Sequence, residues 1–403
     1  MDSKTHFCRH QLQTRDQPRA GPQMKGNKVK FRRYISVPII AVLALAGCAQ
    51  PVQEESQSSA AVASNELFKI VVGISPFQDT YIPIIGQDKG WFEEVGLEAE
   101  LKSLSWNAIT PAIISGDVDM AINNTTGVVG VANAEPDLVY LYGWNPFTEG
   151  SALMIRPESG LKTIDQFEDE LGNRADARIA TIEGLRGRTI VTTLATDMGK
   201  QITDALNSVG MTDDDVNFVD MDPDAGLAAF LSGTGDAYLG GIPQRFKSLQ
   251  EGMMIGISGP DLAPPPINGL LALRDFATEN EDHVLAFLSV IHRIVRFCDA
   301  ETAECGKIIT DRINEETAAG LTVADFESFW QNIELYATDA NSAKEMILDE
   351  SGVAYWKATW DSDNDYLVGT GAIPAPVDSE SNFLMPQVWK SYVDKYGSSE
   401  TGF

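Results

Sequence analysis

Asp79 is the residue whose setting most invites chemistry. It ends the turn-forming stretch Ser75-Pro76-Phe77-Gln78-Asp79, which breaks the apolar run Phe68–Ile74. A carboxylate at such a place either shapes a turn or pairs with an amine or N–H of a ligand. Trp106 with Asn107, and Trp144 with Asn145, follow later apolar runs in the same way. Their rings either pack between elements or stack on a ring or alkyl chain. Asn123, Asn124 and Thr125 follow a third run, and Thr193, Thr196, Met221 and Gly240 hold comparable positions further along. With Ser75, Phe77 and Gln78, this mixture of Asn, Thr, Ser and aromatic residues suits a mostly apolar cleft with a few orienting polar groups. The patterns of covalent or metal-assisted catalysis G-x-S-x-G, G-x-x-x-x-G-K-[ST] and H-E-x-x-H do not occur. The 4 His, at positions 6, 10, 283 and 292, are too scattered for a zinc site, so neither metal nor cofactor is expected.

These positions make sense if strands alternate with helices. Phe68–Ile74, Leu97–Leu101, Val118–Ile122 and Leu138–Tyr142 read as strands. Helical spacing runs from Tyr81 to Glu94 and again from Asn107 to Gly116. The pattern then recurs, with strands at Thr189–Thr193, Val216–Val219 and Ala237–Leu239 and helices at Asp197–Val209 and Ala225–Leu231. Ser115-Gly116-Asp117-Val118-Asp119 and Ser232-Gly233-Thr234-Gly235-Asp236 share the spacing Ser-Gly-x-x-Asp between a helix end and a strand start. The order predicts parallel βα units in two similar α/β lobes. Ligands of such sheets bind beyond the carboxyl ends of the strands, which is where the residues above lie. The expected division is lobe 1 at 67–150, lobe 2 at 151–268, and a return to lobe 1 followed by helices at 269–403. Residues 172–188 read as a loop excursion. The helices expected in the last part are His283–Phe297, Ala303–Asn314, Ala324–Leu335, Ala340–Ser351 and Gln387–Tyr396.

The first 47 residues read as an address. Lys25, Lys28, Lys30, Arg32 and Arg33 precede the short apolar run Ile35–Gly47, as in a secretory signal peptide, with Met24 an alternative start. Residues 48–66 are polar and aperiodic and read as a flexible tether. The chain has 58 Asp and Glu against 30 Lys and Arg, a net charge of −28. Nine of the basic residues and two of the acidic ones precede position 48, leaving a net of −35 on the rest. No basic footprint remains for nucleic acid, which is excluded as a partner. Cys298 and Cys305, in an exported chain, are expected to form a local disulfide.

Two features resemble known families. Leu45-Ala46-Gly47-Cys48 resembles the lipobox of bacterial lipoproteins, which implies a lipid on Cys48 and anchoring at the membrane of the periplasm or cell surface. The run Tyr81 to Glu98, with its Lys89-Gly90-Trp91-Phe92 and Gly96-Leu97, resembles the nitrate/sulfonate/taurine-type solute-binding proteins of ABC importers, relatives of thiamine-precursor binding proteins. Both Ser-Gly-x-x-Asp units and Arg274–Asn280 fit, so the likeness spans about 67–300. It implies a two-lobed, type II-like periplasmic-binding-protein fold with a helical C-terminal extension on lobe 1. The implied activity is capture of a small-molecule solute, as a monomer and not an enzyme, for a permease with its ATPase. A tethered sensor and an enzyme on the same fold, of the pyrimidine-synthase or lyase kind, are the competing classes. That family has a polar Gly-Ser-Thr-like stretch near Thr196, and Ala195-Thr196-Asp197 departs from it. A carboxylate at a helix N-terminus disfavours an anionic ligand, so Thr196 is expected to cap the helix and Thr193 to contact ligand in preference to Asp197. The loops hold no cation, with Arg156, Arg186, Arg188 and Arg245 unplaced. A neutral, zwitterionic or nitrogenous solute is therefore expected ahead of nitrate or bicarbonate, with sulfonates open.

Overall fold

The computed structural model describes residues 66–317 and 319–403; the signal-like segment, Cys48 and most of the tether lie outside them. The described strands are β1 (Phe68–Ile74), β2 (Leu97–Ser103), β3 (Met120–Asn124), β4 (Leu138–Pro146), β5 (Ala152–Ile155), β6 (Thr189–Thr192), β7 (Asn217–Asp220), β8 (Ala237–Gly240), β9 (Met254–Ser258) and β10 (Ile267–Leu273). They form two five-stranded sheets, β2-β1-β3-β10-β4 and β7-β6-β8-β5-β9. The two sheets repeat one plan. In each, the first three strands pair parallel. In each, one strand enters from the other half of the chain or from the hinge and runs antiparallel to both its neighbours: β10 in the first, β5 in the second. The expected parallel βα units are present in three strands of each sheet, and the antiparallel strands add to them. β5 and β9 are four or five residues long and carry no alternation, so the sequence pattern does not mark them out.

The repeated Ser-Gly-x-x-Asp has a structural cause. Gly116 and Gly233 both have positive φ, 76° and 111°, and end their helices. Three residues later the Asp carboxylate accepts a backbone N–H from the neighbouring parallel strand: Asp119 from Val71 at 2.7 Å, Asp236 from Thr189 at 2.9 Å. The motif thus ties strand entry to the adjacent strand in both sheets.

Helices α1 (Pro83–Asp88), α2 (Trp91–Glu94), α3 (Ile109–Ser115) and α4 (Thr125–Ala132) flank the first sheet. The expected single helix from Tyr81 to Glu94 is broken at Gly90, whose φ is 70°. The second sheet carries α5 (Ile164–Leu171), α6 (Arg174–Glu183), α7 (Asp197–Ser208), α8 (Pro223–Leu231), α9 (Ile242–Gln250) and α10 (Gly259–Leu262). The expected loop at 172–188 is therefore largely helix. Asn173 caps α6 through the N–H of Asp176, and Ala177, Thr181 and Ile182 make its buried face beneath a charged exterior.

The rest of the chain adds α11 (Arg274–Glu279), α12 (Glu281–Ala300), α13 (Thr302–Thr317), α14 (Val323–Asn332), α15 (Ala340–Ala343), α16 (Trp356–Gly369), α17 (Ser379–Asn382) and α18 (Met385–Tyr396). The helix expected at Ala340–Ser351 gives way after Ala343 to a π-turn at Lys344–Leu348. Helix α16 has no counterpart in the expected elements. The apolar residues of this extension join the first sheet in one continuous core. Phe287 of α12 stacks on Phe92 of α2 with ring centroids 5.2 Å apart, and burying a ring of this size stabilises by about 1.5–3 kcal/mol. Cys298 of α12 and Cys305 of α13 are joined by a disulfide. Helix α16 packs on α4 of the first lobe and also on α7 of the second. The second sheet has separate, smaller clusters on its two faces.

Candidate functional site

The ends of β1, β2, β4 and β10 face the start of α7 and the end of β8. From the first lobe come Phe77, Asp79, Trp106, Phe147 and Asn268; from the second come Asp197, Met198, Gln201, Leu239 and Gly240. The space between them is about 20 Å³, room for about one water molecule. The lobes are closed on each other. Phe77 and Trp106 pack into the apolar cluster of the second sheet, while Ile242 of α9 packs into that of the first. The two rings meet edge to face, with centroids 5.4 Å apart and planes at 73°. Gly241 permits this approach, because a Cβ there would lie 2.7 Å from Cδ1 of Phe77.

Asp79 is fixed from below. The Asn268 amide donates to its Oδ2 at 2.6 Å and to Oδ1 of Asn145 at 3.0 Å, and Asn145 in turn donates to the carbonyl of Leu335. Burial pushes the Asp79 carboxyl up to about 7; its own backbone N–H and that of Thr80 oppose the shift, and the charge of Asp197 adds to it. Asp197 is the first residue of α7 and only 7% exposed. Its Oδ2 meets the Gln201 amide at a long 3.4 Å, and its Oδ1 has no partner. Burial raises this carboxyl too, against the lowering influence of Asn124, its own N–H, Lys200 and Trp106. Glu334 lies beyond Asp79; burial lifts it well above the usual carboxylate range and the Asp79 charge adds to that. Tyr336 donates to one of its oxygens, and the other is unpartnered.

Among the unpartnered buried polar atoms of the described residues, Asp197 Oδ1 belongs to a residue that lines this cavity, Asn124 Nδ2 to one that lines the adjoining space, and Gln244 Oε1 lies 3.1 Å from where a Cβ on Gly241 would stand. Buried polar groups are normally satisfied, so an unpartnered acceptor on a residue of the cavity wall marks a place where a ligand can supply the partner. A larger groove of about 1060 Å³ lies between α7 and α16, lined by Asp204, Asp213, Asp214, Asp361 and Asp365. It is open to solvent, and none of the unpartnered atoms lies in it.

The remaining expected residues are placed as follows. Asn107 sits at the rim and donates across the lobes to Asp222 at 3.3 Å. Asn123 and Asn124 line a neighbouring space of about 270 Å³ with Trp106, Asn107 and Thr196. The Asn123 amide reaches Thr110 at 3.5 Å, and Asn124 caps α4 through the N–H of Gly127. Thr125 turns away: with Thr126 it donates to Asp363 of α16, at 2.5 and 2.9 Å. Burial raises Asp363 to about 6, held down by Lys200 and by the two hydroxyls. Trp144 and Asn145 lie inside β4, which runs to Pro146, and not in a loop after it. Trp144 is fully buried in the main core. Thr196 caps α7, accepting from the N–H of Met198 at 3.2 Å. Thr193 spends its hydroxyl on the carbonyl of Met221 at 2.7 Å, and neither Thr193 nor Met221 lines the cavity. Of the two residues weighed in the sequence, Asp197 lines the cavity and Thr193 does not. Ala195, at the entry to α7, is the one non-glycine described residue with positive φ, 56°, a strained conformation of the kind found at binding sites. Of the arginines, Arg245 is committed to the carbonyls of Glu149 and Gly150, and Arg156 to those of Phe230 and Gly235. Arg186 and Arg188 face Asp215 and Asp236.

Asn268 and Glu334 escape notice in the sequence. Asn268 is a single polar residue opening the apolar strand β10, and Glu334 falls just past the end of α14. The only signal was an Asn-Gly pair inside an apolar run.

Two matching α/β lobes closed over a shared buried cleft define the periplasmic-binding-protein fold. The chain belongs to the NMT1-like family, whose sequence model matches residues 63–311. No curated protein matches it in sequence. Among solved structures it is similar to the alkanesulfonate-binding protein SsuA from Xanthomonas axonopodis pv. citri bound to MOPS, at 15% identity and a TM-score of 0.61, over 79% of this chain and 98% of that one. The periplasmic nitrate-binding protein NrtA from Synechocystis PCC 6803 also matches at 15% identity and a TM-score of 0.61, over 82% of this chain and 89% of that one. The periplasmic aliphatic sulphonate-binding protein SsuA from Escherichia coli gives the same identity and score, over 80% and 99%. The proteins matched in these three cases are binding proteins by description. Among the described residues, no helix is long and apolar enough to cross a membrane.

Proposed function

We propose that this chain is the solute-binding component of an ABC importer, and not an enzyme. It would capture a small organic solute between its lobes and hand it to a permease driven by an ATPase. The observation that carries the reading is one small buried space lined from both lobes, with a buried Asp on each side of it. A ligand touching both halves favours the closed form by its differential affinity for it. Phe77, Asp79, Trp106 and Gly240 would form the walls, with Ser75, Gln78, Asn123 and Asn124 behind them and Asn107 at the rim. Membership of the NMT1-like family and the fold shared with SsuA and NrtA support this role. We place the protein in the bacterial periplasm or at the cell surface as a monomer, held by a lipid on Cys48. Cys48→Ala is then expected to release the protein from membranes. The direct test of the carrier role is a melting-temperature screen of the chain from Glu54 onward against small solutes. A ligand of the folded state raises the midpoint by mass action. A rise with one chemical class supports the role, and a flat response to all classes contradicts it.

A further inference from the structure

The cleft presents acid without a base. Asp79 comes from the first lobe and Asp197 from the second, and both line the same cavity. No Lys, Arg or His lines it. Lys200, whose charge reaches Asp197, is paired with Asp204 at 2.6 Å, and Arg245 is bound to backbone carbonyls. Closing the lobes therefore brings two buried carboxyls together with no cation on the cavity wall and only the charge of Lys200 acting on Asp197, which is costly unless something supplies a further counter-charge. Asp197 lines the cavity, is more than nine-tenths buried, and its Oδ1 has no partner within hydrogen-bond distance, with the Asn124 and Trp106 side chains the nearest polar influences on it.

The surroundings say what kind of cation fits. Among the described residues, no three His, Cys, Asp or Glu side chains converge as metal ligands do. The other walls are aromatic: Phe77 and Trp106 form an edge-to-face corner, and Phe147 adds a third ring. Aromatic faces attract organic cations. Resting on the solute-carrier reading above, we infer that the ligand is a small organic cation, a protonated amine whose N–H donors meet Asp79 and Asp197 beside Phe77, Trp106 and Phe147, with the lobes held further apart than the one-water space described above. This sets the chain apart from proteins of the same fold described as binding sulfonates or nitrate.

The test is a melting-temperature series at one pH with probes matched in size and differing in charge. Ethylammonium, ethanolamine and putrescine represent ammonium ions, ethanesulfonate and nitrate represent anions, and ethanol and uracil are neutral. The ammonium probes are expected to raise the midpoint. Asp197→Asn and Asp79→Asn are each expected to weaken that binding on the order of a hundredfold, as loss of a buried charge partner does, while keeping or raising the midpoint of the unliganded protein. That midpoint shows that each variant is folded. A rise with anions or neutral probes and none with ammonium ions overturns the charge assignment and leaves the carrier role standing. A flat response to every probe overturns both. Ammonium binding unchanged in both variants also overturns the assignment.

Discussion

Asp282 and Asp79 are the same functional group in opposite surroundings. Asp282 stands on the surface with the Lys395 ammonium 2.6 Å away, and that hydrogen bond and charge hold its carboxyl below the usual range. Asp79 is buried at the lobe interface with amide and N–H donors but no cation, and burial pushes it up to about 7. Among the described residues the buried acidic side chains are Asp79, Asp197, Glu334 and Asp363, and the other carboxylates keep contact with water. Asp197 and Glu334 share the setting of Asp79. Surface acid on this scale keeps a protein soluble. Buried acid without a base destabilises the closed form, and its presence on both sides of one cavity is explained by a ligand that completes it.

Substitutions can break or sharpen that contrast. The largest effect is expected for Asp79→Asn. Its folded pKa lies above the ordinary value of about 3.9, so the native state holds a proton that the unfolded chain releases. Unliganded stability is then greatest near pH 4 and is lost as pH rises through about 7. The groups facing Asp79 are Asn268, Asp197 and Glu334, so no cation offsets this loss. At about 1.4 kcal/mol per pKa unit, the wild type loses at most about 4 kcal/mol between these limits. Asp79→Asn is expected to regain part of it, with a melting-temperature gain larger at pH 8 than at pH 5, while amine affinity collapses. A gain that is the same at both pH values would break the contrast.

Next comes Gly241→Ala. Its backbone angles, φ −79° and ψ −175°, suit any residue, so the effect comes from the collision with Phe77 across the lobes, with Gln244 Oε1 next at 3.1 Å. Affinity should fall about fivefold or more, since overpacking of this kind costs about 1–3 kcal/mol. Calorimetric titration would read the fall, and Phe77→Leu in the same chain should restore part of it. Removing the disulfide with Cys298→Ala and Cys305→Ala acts far from the cleft. It should lower stability by about 2 kcal/mol, the value for so short a loop, and leave affinity unchanged. Asp282→Asn, on the solvated side of the comparison, should leave both melting temperature and affinity unchanged within error.

The repeating strands, the paired Ser-Gly-x-x-Asp units and the return through β10 are legible because each rests on local pattern: apolar runs, glycine stops and turn residues. What escapes depends on distant partners. Asp197 reads as a helix-start carboxylate and becomes a cavity wall only when the first lobe closes on it. Thr193 reads as a ligand contact but finds Met221 28 residues away. Trp144 reads as a loop residue because β4 continues four residues past its apolar core. Helix α16 is polar along most of its length, with buried Asp363 and Asn364 satisfied by Thr125, Thr126 and Val377, so its sequence shows no apolar stripe. In the C-terminal extension, pattern finds α12 and α18 to within two or three residues of their starts.

The most direct measurement is a pH titration of Asp side-chain carboxyl carbons by NMR, in wild type and Asp79→Asn, without and with an ammonium ligand. The account predicts a resonance titrating near pH 7 in the unliganded wild type, absent from the variant, and moved well below its unliganded midpoint once the amine is bound. If every Asp titrates below about pH 5 without ligand, or the amine leaves the Asp79 midpoint where it was, the cleft is not an acid awaiting its counter-charge.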